Sequence, residues 1–497
     1  MSVIIGVDIG TTHIKVIAYT RDGVVLHDEK SICKTIQPSP EIAEQDPRAI
    51  FDSLIKLLQC VFVAVRNEQI EGICFSAGMH SMIVLNEKGE PITNAILWGD
   101  TRSIKQAKKL KENGMANKLY AVSAVPVHPV LPLCKIMWLQ ENQPEIFISA
   151  KKFVSIKEYI FFRLFGKFIV DYSIAASSGM MDIKSLNWNK EALKIANITT
   201  DHLSEIVPST HSELDMSAEF AKMLSMEKPV PFIIGSSDGC LANIGTGVFA
   251  SDKSALTIGT SGAVRTSGNK PIFHPRQKLF CYPLSKDLFV TGGPTNNGGY
   301  VLQWFAKNIL GRELNSENDF ENFVREAQEV EPGAGGLVFL PYLQGERAPV
   351  WDAEARGVFF GLNAVHQRAH MMRAILEGIN FSLYDIFLGL EETIGKIETV
   401  CASGGFVQSD LWLQMLADIF NKKVRVTKIA DASAIGASML GFFATGSVKD
   451  WKELEDKIPV GKIYYPDTKE HVKYRKNFAI FRELYPAMKS TFEKLSE

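Results

Sequence analysis

Neither of the two commonest nucleotide-binding signatures occurs in this sequence. The Gly-Lys pairs at 166–167, 395–396 and 461–462 are not followed by Ser or Thr, so there is no P-loop, and no Gly-x-Gly-x-x-Gly is present. An excess of one charge is lacking too: 54 basic and 56 acidic side chains leave a net charge of −2, without a run of five like charges. This argues against a protein built to grip nucleic acid or an anionic membrane, yet allows a small anionic substrate held by local charge. No Cys-x-x-Cys pair occurs among the seven cysteines (Cys33, Cys60, Cys74, Cys134, Cys240, Cys281, Cys401), which argues against zinc and for free thiols in a reducing cytosol. The N-terminus has no positive segment and its apolar run breaks at Asp8, so no signal peptide is expected. The longest uncharged stretches carry prolines or turn residues and fail as membrane spans. A cytoplasmic protein is expected. Composition is otherwise ordinary: 46% hydrophobic and 22% charged residues, with 37 Gly and 21 Pro, exclude wholesale disorder and collagen. At roughly 150 residues per domain, 497 residues give about three domains or two large ones.

What is present is a repeat. Val3–Val7 predicts a buried strand, the turn Asp8-Ile9-Gly10-Thr11-Thr12 follows, and strands are expected over Lys15–Tyr19 and Val24–Leu26. Half a chain later come Ala255–Ile258, the turn Gly259-Thr260-Ser261-Gly262, and Ala263–Thr266. Ile9-Gly-Thr-Thr12 and Ile258-Gly-Thr-Ser261 lie 249 residues apart in the same strand–turn–strand context, which indicates two related domains. Asp46-Pro47 opens a helical period over 49–65, and further helices are expected over 105–119, 321–330 and 366–388. Alternating strands and helices in both halves predict α/β domains, divided as 1–248 and 249–497. Weak periodicity over 184–227 predicts an irregular excursion.

The turns suit phosphate chemistry. Backbone N–H groups and hydroxyls at Gly10, Thr11, Thr12, Gly259 and Thr260 can donate to an anion, although ordinary hairpins would use the same residues for geometry alone. Asp8 would repel a phosphate unless a divalent cation lies between them, which makes it a candidate Mg²⁺ ligand; Lys15 can offset phosphate charge. Gly235-Ser236-Ser237-Asp238-Gly239 follows the apolar Phe232–Ile234 and admits three readings. It matches the nucleophile elbow of hydrolases, with Ser237 attacking an acyl group, but His274, His366 and His370 stand in ordinary settings. It also reads as a helix cap, or as a strand end where Asp238 is a general base facing a cleft. Met79-His80 reads as core or as ligand. Trp98 and Asp100 read as a ring covering a carbon chain with a carboxylate accepting two hydroxyl protons, or as a buried Trp and an exposed turn carboxylate. The loop 291–299 enters a helix expected over 300–309, whose N-terminus can take a phosphate or carboxylate.

These motifs together resemble the FGGY carbohydrate kinases of the actin-like ATPase superfamily. Asp8–Lys15 is similar to that family's first phosphate motif. Pro132-Leu-Cys-Lys135-Ile-Met-Trp138-Leu-Gln-Glu-Asn142 resembles its first signature, with Val130 in place of the usual small or aromatic residue. Gly357-Val-Phe-Phe-Gly361-Leu with His370–Glu377 resembles the second. The resemblance runs from Ile4 to about Gly446. It implies two actin-like (ribonuclease H-like) ATPase domains around a central cleft, with ATP and Mg²⁺ as cofactors. Asp238 would take the proton of a sugar hydroxyl, with Met79, His80, Trp98, Asp100 and Asn296 around the sugar. Gly10, Thr11, Thr12, Lys15, Gly259 and Thr260 would surround the phosphates, Gly299 and Gln303 the phosphates and ribose, and Gly404, Gly405 and Ser409 the adenosine. The segment Tyr342–Asp352 would be architectural.

Within the family, Met79-His80-Ser81, Asp171-Tyr172-Ser173 and Gly292–Asn297 look more like gluconate kinases. D-Gluconate is therefore the leading expected substrate and xylulose the alternative. Arg102, Arg265 and the 292–299 loop are candidates for a substrate carboxylate. A non-catalytic sugar-sensing module is the other class, against which Asp238 argues. The sequence does not set the oligomeric state, a homodimer included.

Overall fold

In the computed structural model, which describes residues 1–224, 226, 228–314, 316–427, 431–455 and 457–495, the chain builds two large sheets in succession. The first contains β1 (Ser2–Ile9), β2 (His13–Thr20), β3 (Val25–Ile32), β4 (Gln69–Ala77), β5 (Ser212–Glu213) and β6 (Phe232–Ser237), ordered β5-β6-β4-β1-β2-β3. The second contains β7 (Lys253–Ile258), β8 (Gly262–Gly268), β9 (Phe280–Pro283), β10 (Phe289–Thr295), β11 (Thr399–Ser403), β12 (Lys423–Thr427) and β13 (Val460–Tyr464), ordered β9-β10-β8-β7-β11-β12-β13. Six helices matter below: α1 (Pro47–Ala64), α2 (Asp238–Gly245), α3 (Gly299–Trp304), α4 (Arg368–Ile394), α5 (Asp410–Phe420) and α6 (Ala432–Ala444).

The repeat is topological as well as sequential. In the first sheet β1 pairs antiparallel with β2, β2 with β3, and β1 parallel with β4, which is parallel to β6. In the second, β7, β8, β10, β11 and β12 repeat those relations, with each Gly/Thr turn joining the first two strands.

Burial on both faces follows from the apolar content of the central strands. On β1, Val3, Ile5, Val7 and Ile9 pack with Phe51, Leu54, Leu58 and Val61 of α1, whose start is capped by Asp46 accepting from the Arg48 amide at 2.9 Å. The opposite face, marked by Ile4, belongs to a core shared with α6 of the second half. There the backbones touch. A Cβ at Gly6 would lie 2.5 Å from the Ala434 carbonyl oxygen, one at Gly245 2.0 Å from that of Ala432, and one at Gly436 2.0 Å from that of Leu241. Only glycine permits this approach, so α6 is seated directly on β1 and α2.

Several expected elements differ in extent. The helix expected over 105–119 is two, Ile104–Glu112 and Met115–Ser123, because Gly114 turns left-handed at φ 73° between them. Glu317–Arg325 ends where 321–330 was expected to continue, tightening into a 3₁₀ turn over Glu326–Glu329. The third strand runs to Ile32. The 184–227 segment holds short elements, among them Lys190–Ile195 and Glu205–Val207. Among the described residues no helix is long and apolar enough to cross a membrane.

Candidate active site

The expected site residues gather at the carboxyl ends of the parallel strands, where open α/β sheets bind ligands. In the first half β1 ends beside Asp8, β4 runs into Gly78-Met79-His80, and β6 delivers Asp238 as the first residue of α2. The registers Asp8↔Ser76 and Ser237↔Ala77 keep these ends level. In the second half β7 runs into Gly259-Thr260 and β11 into Gly404-Gly405. Gly235 lets β6 approach β4, since a Cβ there would fall 1.8 Å from the Phe75 oxygen.

Burial raises the Asp238 carboxyl, the nearby negative charge of Asp8 adds to this, and Arg265 and the Gly239 amide oppose it; the balance is about 6. The Gly239 N–H donates to Asp238 Oδ1 at 2.6 Å. Asp238 is thus ionised at neutral pH but close enough to neutrality to serve as a base. Met79, Gly239 and Arg265 are adjacent, because a Cβ at Gly239 would lie 3.0 Å from Met79 Cε and 3.2 Å from Arg265 Nε.

His80 is buried, with φ 67°. Its Nδ1 lies 2.9 Å from the Ser177 carbonyl, which can only accept; the proton therefore sits on Nδ1 and leaves Nε2 as an acceptor. Burial first, then Lys135 and Arg347, push its pKa down to about 3, so it is neutral. Lys135 of the first signature is fully buried and donates from Nζ to the carbonyls of His80 (2.6 Å), Ile96 (3.1 Å) and Leu97 (2.8 Å). It ties the His80 and Trp98 loops together. Lys135→Met is expected to cost about 3 kcal/mol or more, because three buried carbonyls lose their donor. A lowered Tm and a raised sugar KM at unchanged ATP KM would show it.

The hairpins are closed by their own amides: Gly10 N–H donates to His13 O at 3.0 Å and Gly259 N–H to Ser261 O at 2.8 Å. Asp8 accepts from Ser76 Oγ (2.6 Å) and from Ser433 Oγ (2.8 Å) on α6. Lys15, directly opposite Asp8 on β2, is ion-paired with Asp431 at the start of α6. A cavity of about 350 Å³ in the second half is lined by Gly259, Thr260, Gly299, Gln303 and Gly405, with Phe320 and Trp412 as aromatic walls. Five of the expected nucleotide residues meet there. Gly404 has φ 101° and backs onto Ile258, whose oxygen would meet a Cβ at 2.4 Å.

Other expected residues are otherwise engaged. Asp100 is completely buried; Oδ1 accepts from Arg102 Nε (2.8 Å), and Oδ2 from Arg102 Nη2 (2.7 Å) and the Ala43 amide (2.9 Å). It has no free edge for two sugar hydroxyls. The charge of Arg102 is likewise met, by Asp100 and by Glu44 at 2.5 Å. Asn296 accepts from Arg347 Nε (2.7 Å) and donates to Gln344 O (2.9 Å), so it positions Arg347. The Arg347 guanidinium stacks 4.9 Å above Trp98 and occupies one face of that ring. Ser409 is buried as the cap of α5, accepting from the Trp412 amide at 3.3 Å. The amides opening α3 are used internally: Gly299 N–H donates to Gly259 O at 2.7 Å and Tyr300 N–H to Thr260 O at 3.2 Å, so the anion site expected at that helix start is closed. Ser237 is completely buried, and among the described residues no histidine bonds its hydroxyl, which removes the hydrolase reading.

Sequence reasoning passed over Asp431 and Ser433; the small-residue run Ala432-Ser-Ala-Ile-Gly-Ala437 was the available signal for a tightly packed helix start. It also took the loop carrying Arg347 as architectural. In the second signature, Arg373 and Glu377 pair within α4 at 2.9 Å, and Glu377 accepts from the Gly333 amide at 2.9 Å, a structural role.

Comparison with known proteins agrees with this geometry. Residues 3–245 match the N-terminal domain, and residues 254–445 the C-terminal domain, of the FGGY family of carbohydrate kinases. The chain is 39% identical to a gluconokinase of Bacillus licheniformis over 501 residues, covering 100% of this chain and 98% of that protein. A ligand-bound xylulose kinase from Lactobacillus acidophilus superposes with a TM-score of 0.94 at 36% identity, covering 100% of both chains. A gluconate kinase from the same organism superposes with a TM-score of 0.93 at 36% identity, covering 99% of both. With two repeated sheets, paired Gly/Thr hairpins and the half-buried Asp238 at the end of β6, the chain belongs to the FGGY family of carbohydrate kinases, enzymes that phosphorylate sugars with ATP.

Proposed function

We propose that the chain transfers the γ-phosphoryl group of ATP to the terminal hydroxyl of D-gluconate, giving 6-phospho-D-gluconate. The observation that carries the chemistry is Asp238, a carboxylate held at about 6 beside Asp8 and Arg265. As the new O–P bond forms and the bond to ADP breaks, Asp238 accepts the proton of the attacking hydroxyl; the protein otherwise orients the partners and offsets charge. His80 Nε2 and Met79 line the sugar side, together with the free face of Trp98. Residues 1–248 mainly hold the sugar and 249–497 mainly the nucleotide. The 350 Å³ cavity has the size and aromatic walls for a nucleoside. Gly404 and Gly405 bring the backbone to it, and Ser409 supports it from beneath. Gly10, Thr11, Thr12, Gly259 and Thr260 flank the phosphates.

Asp8 suits Mg²⁺ bound through a carboxylate, water and substrate phosphates. Among the described residues no group of three acidic, His or Cys side chains forms a protein cage, and magnesium characteristically does without one. When bound there, the ion would neutralise phosphate charge. Lys15 serves the same end once released from Asp431.

Full-length likeness to a gluconokinase supports gluconate, whereas likeness to a xylulose kinase of known structure favours xylulose as a second reading. ATP consumption measured side by side on the two sugars tests this. Faster turnover of gluconate is expected; faster turnover of xylulose would overturn the choice.

A further inference from the structure

Three places could meet a substrate carboxylate, and two are already occupied. Arg102 is held by Asp100 and Glu44. In the 292–299 loop the Asn296 amide donates to Glu346 at 2.9 Å, the Asn297 amide to Thr295 Oγ1 at 3.0 Å, and the amides of Gly298 and Gly299 to the second hairpin. Arg265 is different. It rises from β8 toward the start of α2, where its guanidinium lies against Gly239 next to Met79. Its Nε is buried without a hydrogen-bond partner, and among the described residues no carboxylate comes within ion-pairing distance. Arg347, the neighbouring buried arginine, shows the contrast: Asn296 Oδ1 and the Thr295 carbonyl accept from it.

The nearby charge of Asp238 offsets part of the desolvation of this guanidinium, but no acceptor takes its buried Nε–H, and a ligand carboxylate would supply one. Arginine's planar fork matches a carboxylate through two parallel N–H···O bonds, a match that a neutral hydroxyl does not reproduce. We propose that Arg265 anchors the substrate's carboxylate and makes the site selective for aldonic acids over neutral polyols of the same length. This rests on the sugar-acid kinase reading given above and assigns the group within that site that recognises the acid.

The test compares D-gluconate with D-gluconamide, which keeps the carbon chain and hydroxyls but not the charge, in the full-length wild type and in Arg265→Gln. Binding is read by calorimetry and kinetics by ADP release. Wild type should prefer gluconate. In the variant the gluconate KM should rise by about 10–150-fold, as loss of a charge-assisted hydrogen bond predicts. Gluconamide binding and the KM for ATP should stay within about threefold, and the preference ratio should approach one. Arg265→Lys should restore part of it. Because the Arg265 Nε makes no hydrogen bond within the protein, the variant's Tm should fall little. An unchanged ratio, or equal losses for both ligands with a matching rise in ATP KM, would overturn the assignment. If wild type itself shows no preference for the acid, the gluconate reading fails instead, and the two failures are distinguishable.

Discussion

Replacing Asp238 by alanine is expected to lower kcat by about 10²–10⁴-fold, the usual worth of a positioned general base. Nucleotide and sugar binding should survive, because the cavity lined by Gly259, Gly299 and Gly405 lies on other elements and His80 is held independently by Lys135. Calorimetry with ATP, gluconate and the variant separates the two effects; near-normal turnover would sink the assignment. The wild-type pH profile follows from the same carboxyl. Its pKa is raised, so protonation begins unusually early as pH falls, and kcat/KM should drop through about 6. Burial raises this value most and the charge of Asp8 adds to it, while Arg265, the Gly239 amide and Arg347 lower it. Removing the like charge with Asp8→Asn should therefore move the acid limb of the residual activity to lower pH. An upward or absent shift would show that another group limits the rate.

Gly436→Val should produce the largest loss of stability. The added Cβ would begin 2.0 Å from the Leu241 carbonyl oxygen, a backbone atom that cannot swing aside as a side chain would. Separating α6 from α2 to admit it should cost about 3 kcal/mol or more. Catalysis should fall as well, even in protein that stays folded, because α6 carries Asp431 and Ser433, which hold Lys15 and Asp8. The control is Gly268→Ala, where nothing lies within 4 Å, with an expected change within about 0.5 kcal/mol. A Gly436→Val protein with wild-type Tm would show that the two halves do not depend on this contact.

The local parts of this protein are written in its sequence. Strand–turn–strand units at 3–19 and 255–266 are readable because apolar runs, Gly/Thr turns and register are short-range properties, and their repetition survives as the common strand order of both sheets. Asp238 stood out because a carboxylate directly after an apolar strand opens onto the cleft, and the family resemblance gave it the role of base. What stayed hidden depends on neighbours hundreds of residues away. Asp100 and Asn296 carry the chemistry of sugar ligands, yet one is saturated by Arg102 and Ala43 and the other is engaged by Arg347 and Gln344. No local pattern distinguishes a filled hydrogen-bonding capacity from an open one. The loop amides before α3 looked free until the second hairpin was seen to accept from them. The Lys15–Asp431 pair spans 416 residues, and α6 reaches its place only because glycines remote in sequence let backbones meet. Sequence alone determined the family and the duplication, since these reside in contiguous residue types. Tertiary structure alone decided which polar groups remain unpaired and hence available to a ligand, because burial and pairing are properties of the assembled chain.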